Sequence, residues 1–372
     1  MDYTPAYEQG GGIGRYVREL VAALARQDTD DVYHLFVAGS SSLSSPSFDS
    51  NFVWKPTRLS PRWLARIWHR AHIHVPVELF VGAVDLYHAT DFVLPPTLPH
   101  TKTLLTVHDL SYVRVPETAS PNLKFYLDRV VPDSVNRADF VVADSQSTKE
   151  DLIDLYGVME SKIDVLLSGV DSRFKRQNDR SVLMTTRTRY MIGTSPYIFS
   201  VGTVQPRKNY GRLIQSLALL RASGYDLDLV IAGGRGWLED PIYETVNTAG
   251  MQEHVHFIGF TDDADLPTLY SGAYCCVLPS LYEGFGLPVL ESMACGTPVI
   301  TSNVSSLPEV AGDAAITVDP YNLDAITDAI KQLLDDSTLY QSYVQKGYER
   351  AKQFTWDNSA RQLRQIYAKL LA

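Results

Sequence analysis

The chain has 372 residues and a mass of 41.5 kDa, more than one ordinary core accommodates, so two domains are expected. Its formal charge of -10 excludes a general pull toward nucleic acid or anionic membrane and favours a small-molecule site. Cys275, Cys276 and Cys295 lack zinc spacing, MDYTPAYEQ has no signal-peptide pattern, and no apolar run reaches the roughly 18 residues of a membrane span. A reducing, cytoplasmic setting with at most peripheral membrane contact is therefore expected.

From its start the chain reaches a glycine loop, EQGGGIGRYVREL (8–20), that opens an amphipathic helix. Counting from Gly10, Arg15 stands where the dinucleotide fingerprint requires its third glycine, so that fingerprint fails. Strand patterns follow at 32–38, 84–89, 103–109 and 139–145. A second set stands at 197–202, 227–233, 254–260, 273–280 and 297–302. Apolar strands separated by helical periodicity predict parallel sheets covered on both faces, and hence an α/β chain of two doubly wound, Rossmann-like domains. The arginine-rich segment 173–194 reads as a linker, dividing a domain over 1–172 from one over 173–352, and SSSLSSPS (40–47) reads as a flexible loop. A final helix begins near Trp356 and suits either domain.

Ligands of open α/β sheets bind beyond the carboxyl ends of the strands. In VGTVQPRKN (201–209), Arg207 and Lys208 precede a helix start, where cations oppose the dipole; a bound anion accounts for them better, although a solvated basic pair is the plainer alternative. In EGFGLPVLES (283–292), glycines precede a helix with Pro288 at N1. The amides of Phe285, Gly286 and Leu287 can face a phosphate there. Glu291 and Glu283 flank that turn; a helix-start acid and a loop acid explain each alone, but two carboxylates beside one anion site suit vicinal sugar hydroxyls. A nucleotide sugar offers a ribose diol to Glu291, a pyrophosphate to the amides with Arg207 and Lys208, and a hexose to Glu283.

LPSLYEGFGLPVLESMACGTPVI resembles the glutamate-x7-glutamate signature of retaining glycosyltransferases of the GT-B fold, family 4, also called group 1. GGGIGRYVREL, VHDLSYVRVPE, ADSQSTKEDL and VGTVQPRKN are similar to its other blocks in the same order, so the resemblance covers essentially the whole chain. It implies two domains facing a cleft, the N-terminal one for the acceptor and the C-terminal one for the nucleotide sugar, with 353–372 crossing back to the first. It implies Gly11 and Gly12 on the donor phosphates and sugar, His108 near the transferred sugar, and the base along HFIGF at Gly259 and Phe260. His108 taken alone reads equally as a strand-end histidine satisfied by a carbonyl. The implied reaction retains anomeric configuration, needs no metal or cofactor, and uses Glu283 and His108 as catalytic groups.

Two departures stand out. Thr203 follows Gly202 where many members of the family carry arginine, which leaves the diphosphate to Arg207 and Lys208. MDYTP supplies almost none of the usual first strand, so a chain extended upstream is expected to be more stable than this one.

The motifs GGIGRY, VHDLSYVRVPE and GTVQPRKN are similar to those of bacterial mannosyltransferases of polysaccharide biosynthesis, which implies GDP-mannose as donor; UDP-glucose or another UDP-hexose stays open. The acceptor is expected to be lipid-linked or an oligosaccharide. KPTRLSPRWLARIWHRAHIHVP (55–76) has five Lys or Arg residues, Trp63 and Trp68 and no acid, so it suits anionic lipid as well as a solvated helix with buried tryptophans. Its His69, His72 and His74 lack the companions of a metal site. Asp263 and Asp265 mimic a metal-binding acid pair, but TDDADLPTLY (261–270) reads as a helix start capped by Thr261 or Asp262. A glycosidase, a nucleotide-sugar epimerase, a phosphorylase and a non-catalytic sugar binder are the rival classes.

Overall fold

The computed structural model describes residues 1–39, 46, 48–71 and 73–372; the expected loop at 40–47, apart from residue 46, and His72 lie outside them. Two compact units are found. Met1–Leu110, Phe125–Gly169 and Thr355–Ala372 form the first, and Ser111–Lys124 with Val170–Phe354 form the second.

In the first unit the strands are β1 (Tyr33–Ala38), β2 (Phe52–Thr57), β3 (Leu86–Ala89), β4 (Lys102–Val107), β5 (Phe140–Ala143) and β6 (Ile163–Val165). They pair in parallel as β1-β2 and as β3-β4-β5-β6. Met1–Tyr3 stitch the two sets together: Asp2 N–H donates to the His88 carbonyl, while Tyr3 N–H donates to the Phe36 carbonyl and Phe36 N–H to that of Met1. Three residues thus occupy the central position where a full strand was expected to be missing.

Helix Gly12–Gln27 buries Tyr16, Val17, Leu20, Val21 and Leu24, spaced three and four apart, so one stripe faces the interior. Helix Trp356–Leu371 packs against it and buries Ala360, Leu363, Ile366 and Tyr367, the last with its hydroxyl 2.8 Å from His88 Nδ1. Arg364 Nε lies 3.0 Å from Asp28 Oδ2, which also accepts from the Tyr33 hydroxyl at 2.6 Å.

The second unit holds β7 (Tyr197–Val201), β8 (Asp228–Ala232), β9 (Val255–Gly259), β10 (Cys275–Leu278), β11 (Val299–Ser302) and β12 (Ile316–Val318). These form one parallel sheet in the order β12-β11-β10-β7-β8-β9. The order reverses around β7 and β10, so the loops after those two strands diverge and leave room for a ligand. All three cysteines are buried and free, and burial pushes the Cys275 and Cys295 thiols up to about 12.

Several local expectations are corrected. Segment 173–194 is no plain linker, since it carries helix Arg180–Arg189, started by Asp179, whose side chain accepts from Ser181 N–H. Helix Leu266–Gly272 starts at Asp265, not after Thr261 or Asp262, and the Asp265 carboxylate accepts from Arg189 and Tyr190 at 2.6 and 2.8 Å instead of capping. Helix Leu287–Ala294 begins one residue before Pro288, which therefore sits at N2. Trp63 is 56% exposed, while Trp68 is half-buried and donates Nε1–H to the Val75 carbonyl at 2.8 Å.

Candidate active site

The loops after β7 and β10 bring the basic pair and the first acid together. Arg207 Nη1 lies 2.7 Å from Glu283 Oε2, and Lys208 Nζ lies 2.6 Å from Glu283 Oε1. Ser280 adds a hydroxyl bond to Oε1 at 2.6 Å, and Arg207 also donates to the Tyr282 carbonyl at 2.7 Å. Burial opposes the charge on Glu283, but the two cations and the bonds from Lys208 and Ser280 outweigh it and hold its pKa at about 2.

Backbone supports fix this arrangement. Asn209, in the left-handed conformation before helix Tyr210–Ala222, donates from Nδ2 to the carbonyls of Pro279 and Pro320 at 2.9 and 2.7 Å. Ser306 Oγ bonds the carbonyls of Glu283 and Phe285 at 2.9 and 2.8 Å, and Glu283 N–H donates to Ser305 Oγ at 3.0 Å. Gly286 stands at φ 111° as the N-cap of helix Leu287–Ala294, with no side-chain cap. That positive φ requires glycine, and an added Cβ would also press on the end of the Leu307 side chain at 2.9 Å. The amides of Phe285, Gly286 and Leu287 thus head a helix whose N-cap makes no side-chain hydrogen bond.

Glu291 is 2% exposed, and its Oε2 accepts from the Tyr270 hydroxyl at 2.8 Å. Gly259, at φ 70°, closes β9 with its carbonyl accepting from Gly233 N–H at 2.8 Å, and Phe260 follows it, 67% exposed. Donor-side candidates therefore lie along the carboxyl edge of one sheet, after β7, β9 and β10.

In the first unit, Gly11 caps helix Gly12–Gln27 without a side chain, and a Cβ added at Gly11 or Gly12 would meet nothing within 4 Å. His108 follows β4 and is buried. Its Nδ1 lies 2.7 Å from Asp144 Oδ2 and its Nε2 2.8 Å from the Thr90 carbonyl. Burial works against a charged ring, yet Asp144, with smaller help from Asp91 and the Thr90 carbonyl, raises the His108 pKa to about 9. Asp91 accepts from Gln9 Nε2 at 2.7 Å, and burial pushes its own pKa up to about 6.

Sequence reasoning did not single out Ser280, Tyr270 or Asp144. The first two carried no charge to mark them, and Asp144 was quoted only inside a block that resembles the family. Among the described residues, no cluster of three His, Cys, Asp or Glu side chains is placed to hold a metal ion.

Each unit is a parallel α/β assembly, and the second brings a basic pair and a glycine-flanked helix start to the carboxyl edge of its sheet, an arrangement suited to a phosphate group. Residues 187–350 match the family described as Glycosyl transferases group 1 and residues 10–174 match Glycosyltransferase Family 4. The chain is 34% identical over 371 residues to O-antigen chain mannosyltransferase B of Escherichia coli, covering 97% of this chain and 96% of that protein. It is 28% identical over 302 residues to the Escherichia coli serotype-specific mannosyltransferase WbdA, covering 79% of this chain and 36% of that longer protein. The crystal structure of Anabaena Alr3699/HepE in complex with UDP and glucose shares the fold, with a TM-score of 0.73, 17% identity, and coverage of 97% of this chain and 96% of that one. The chain belongs to the group 1, family 4 glycosyltransferases and is a glycosyltransferase of GT-B fold.

Proposed function

We propose that the chain is a retaining mannosyltransferase that moves mannose from GDP-mannose to a lipid-linked or oligosaccharide acceptor in cell-surface polysaccharide synthesis. Near full-length similarity to an O-antigen mannosyltransferase carries this reading. The first unit takes the acceptor and the second holds the donor. Glu291 takes the ribose hydroxyls, Arg207, Lys208 and the amides of 285–287 the diphosphate, Glu283 the hexose, and Gly259 with Phe260 the base.

During transfer the bond from the anomeric carbon to the diphosphate oxygen breaks and a bond to the acceptor oxygen forms on the same face. The acceptor's proton passes to the departing diphosphate. Arg207, Lys208 and the helix-start amides stabilise the charge that develops there, so the reaction proceeds without a metal ion or cofactor. Incubation with a panel of nucleotide sugars, with and without acceptors and with a chelator present, tests the reading through release of nucleoside diphosphate. Release from GDP-mannose that depends on acceptor and survives the chelator is expected. Acceptor-independent conversion with no diphosphate released favours an epimerase, and binding without turnover a sugar-nucleotide binder. A UDP-hexose donor is the second reading, favoured by the fold shared with a UDP-binding protein; turnover of that donor alone would establish it.

No helix among the described residues is long and apolar enough to cross a membrane. We further propose that 55–76 rests on the cytoplasmic membrane face. Arg58, Arg62, Arg66 and Arg70 are exposed, as are Trp63, Ile73 and Leu79; Arg66 lies over the Trp63 ring at 5.0 Å, and helix Pro61–Ala65 runs into the helical turn Arg66–Arg70. Basic side chains near anionic lipid contribute about 1 kcal/mol each, so neutralising these four with Lys55 is expected to lower flotation with anionic vesicles at least tenfold, to about the level seen with neutral ones. Unchanged flotation removes the idea.

A further inference from the structure

Thr90, His108 and Asp144 directly follow the neighbouring strands β3, β4 and β5; Val107 pairs with Ala143, which puts His108 beside Asp144, while Thr90 ends its strand level with Thr106 and meets the ring through its carbonyl. The Thr90 carbonyl can only accept, and Nε2 of His108 therefore carries a hydrogen. Nδ1 faces a carboxylate at 2.7 Å, where a second ring proton gains an ion pair as well as a hydrogen bond. The other Asp144 oxygen, Oδ1, is buried with no partner, so the ring is what stabilises this carboxylate.

Asp91, which follows β3, favours a charged ring. Burial and the neighbouring Asp109 push the Asp144 carboxyl up, and the His108 ring opposes them through its charge and the bond at 2.7 Å. Tyr16, from helix Gly12–Gln27, packs edge-on with ring centroids 5.1 Å apart, and burial keeps its phenol protonated. Phe92 closes another side at 5.4 Å. His88 on β3 stays neutral, since burial holds its pKa at about 3. The Thr148 hydroxyl donates to the His108 carbonyl at 3.3 Å, which ties the residue to helix Gln146–Tyr156.

We propose that Asp144 is a positioning residue of the transferase, holding His108 as a doubly protonated ring with both N–H bonds committed, so that this histidine supplies a fixed positive charge and not a proton acceptor. Only the kinetic consequence rests on the transferase reading. A ring with no free lone pair takes no proton from an acceptor hydroxyl, so that proton goes to the departing diphosphate. Loss of the carboxylate returns the ring to a neutral form whose charge no longer assists.

Imidazole nitrogen NMR on the histidine-labelled protein, with no nucleotide sugar present and His108→Gln for assignment, reads the proton positions directly. The expected spectrum is imidazolium at neutral pH, changing to the Nε2–H tautomer near pH 9. In Asp144→Asn the change is expected to fall by at least about 1.5 pH units, a 30-fold shift in proton affinity. With the transferase assay, kcat at pH 7.5 is expected to fall at least about tenfold in Asp144→Asn, while donor KM stays within about threefold. The alkaline limb of its pH profile should move with the NMR titration, and Asp144→Glu should restore part of it. A neutral His108 ring in the unaltered protein at pH 7.5 overturns the proposal, even if Asp144→Asn does not fold. An imidazolium spectrum in a protein that turns over no nucleotide sugar refutes the transferase reading and leaves the proton assignment standing.

Discussion

Glu283→Gln is expected to lower kcat by about 10²- to 10³-fold and, at the same time, to tighten binding of free nucleoside diphosphate. Arg207 and Lys208 both turn toward Glu283, so a ligand phosphate competes with this carboxylate for two cations. Glutamine keeps the shape and removes the competitor, and the product is then held more firmly while the hexose loses its acceptor group. Steady-state kinetics with calorimetric titration of the diphosphate check both halves; an unchanged kcat removes Glu283 from the site. The same substitution strips two partly buried cations of their counter-charge, an effect of about 3 to 5 kcal/mol in closed pairs and less where water enters, as it does here. Because the Glu283 pKa is depressed from 4.5 to about 2, its stabilisation is complete above pH 4.5 and disappears as pH falls toward 2. Acid unfolding of the second unit over that window should lose on the order of 3 kcal/mol of its pH dependence in Glu283→Gln.

Gly14→Ala and Gly11→Ala should separate fold from function within one loop. A Cβ at Gly14 would stand 1.8 Å from the Gln9 carbonyl oxygen and 2.9 Å from that of Pro5, both backbone atoms. Helix Gly12–Gln27 must then move off helix Thr4–Glu8, which costs roughly 3 kcal/mol or more and lowers Tm by about 6 to 12 °C. At Gly11 a Cβ meets nothing within 4 Å and φ is an ordinary -88°, so stability should hold within roughly 0.5 kcal/mol. If a phosphate or sugar comes against that open backbone, Gly11→Ala displaces it and lowers kcat/KM by about 10²-fold. Thermal melts and kinetics on the two variants decide; full activity in a stable Gly11→Ala protein means no ligand approaches there.

Much of this architecture was legible because the buried strands are unbroken apolar runs. DLVIA in β8 and CCVL in β10 admit few other readings, and each of the nine indicated ranges holds an observed strand, β4 starting one residue early at Lys102. FVWKPT escaped because Lys55 and Pro56 drew it into the basic stretch after it, and its parallel pairing with β1 is a tertiary fact. IDV and ITV, in β6 and β12, are too short for any period to emerge. Nothing local marks Ser111–Lys124 as part of the second unit, where Trp237 Nε1–H donates to the Thr118 carbonyl at 2.8 Å. At the site, charge made Arg207, Lys208 and Glu283 visible, and the structure joins them. The link from His108 to Asp144 was hidden because 36 positions separate them in sequence while strand register puts them side by side.

Because helix Trp356–Leu371 completes the face of helix Gly12–Gln27, a ribosome must synthesise every residue of the second unit before the first can close its core. During that interval helix Gly12–Gln27 lacks the helix it packs against, and the Asp28 carboxylate waits for Arg364. The earliest-made unit is thus the last to mature, and the nascent polypeptide should depend on chaperones until its final turns emerge.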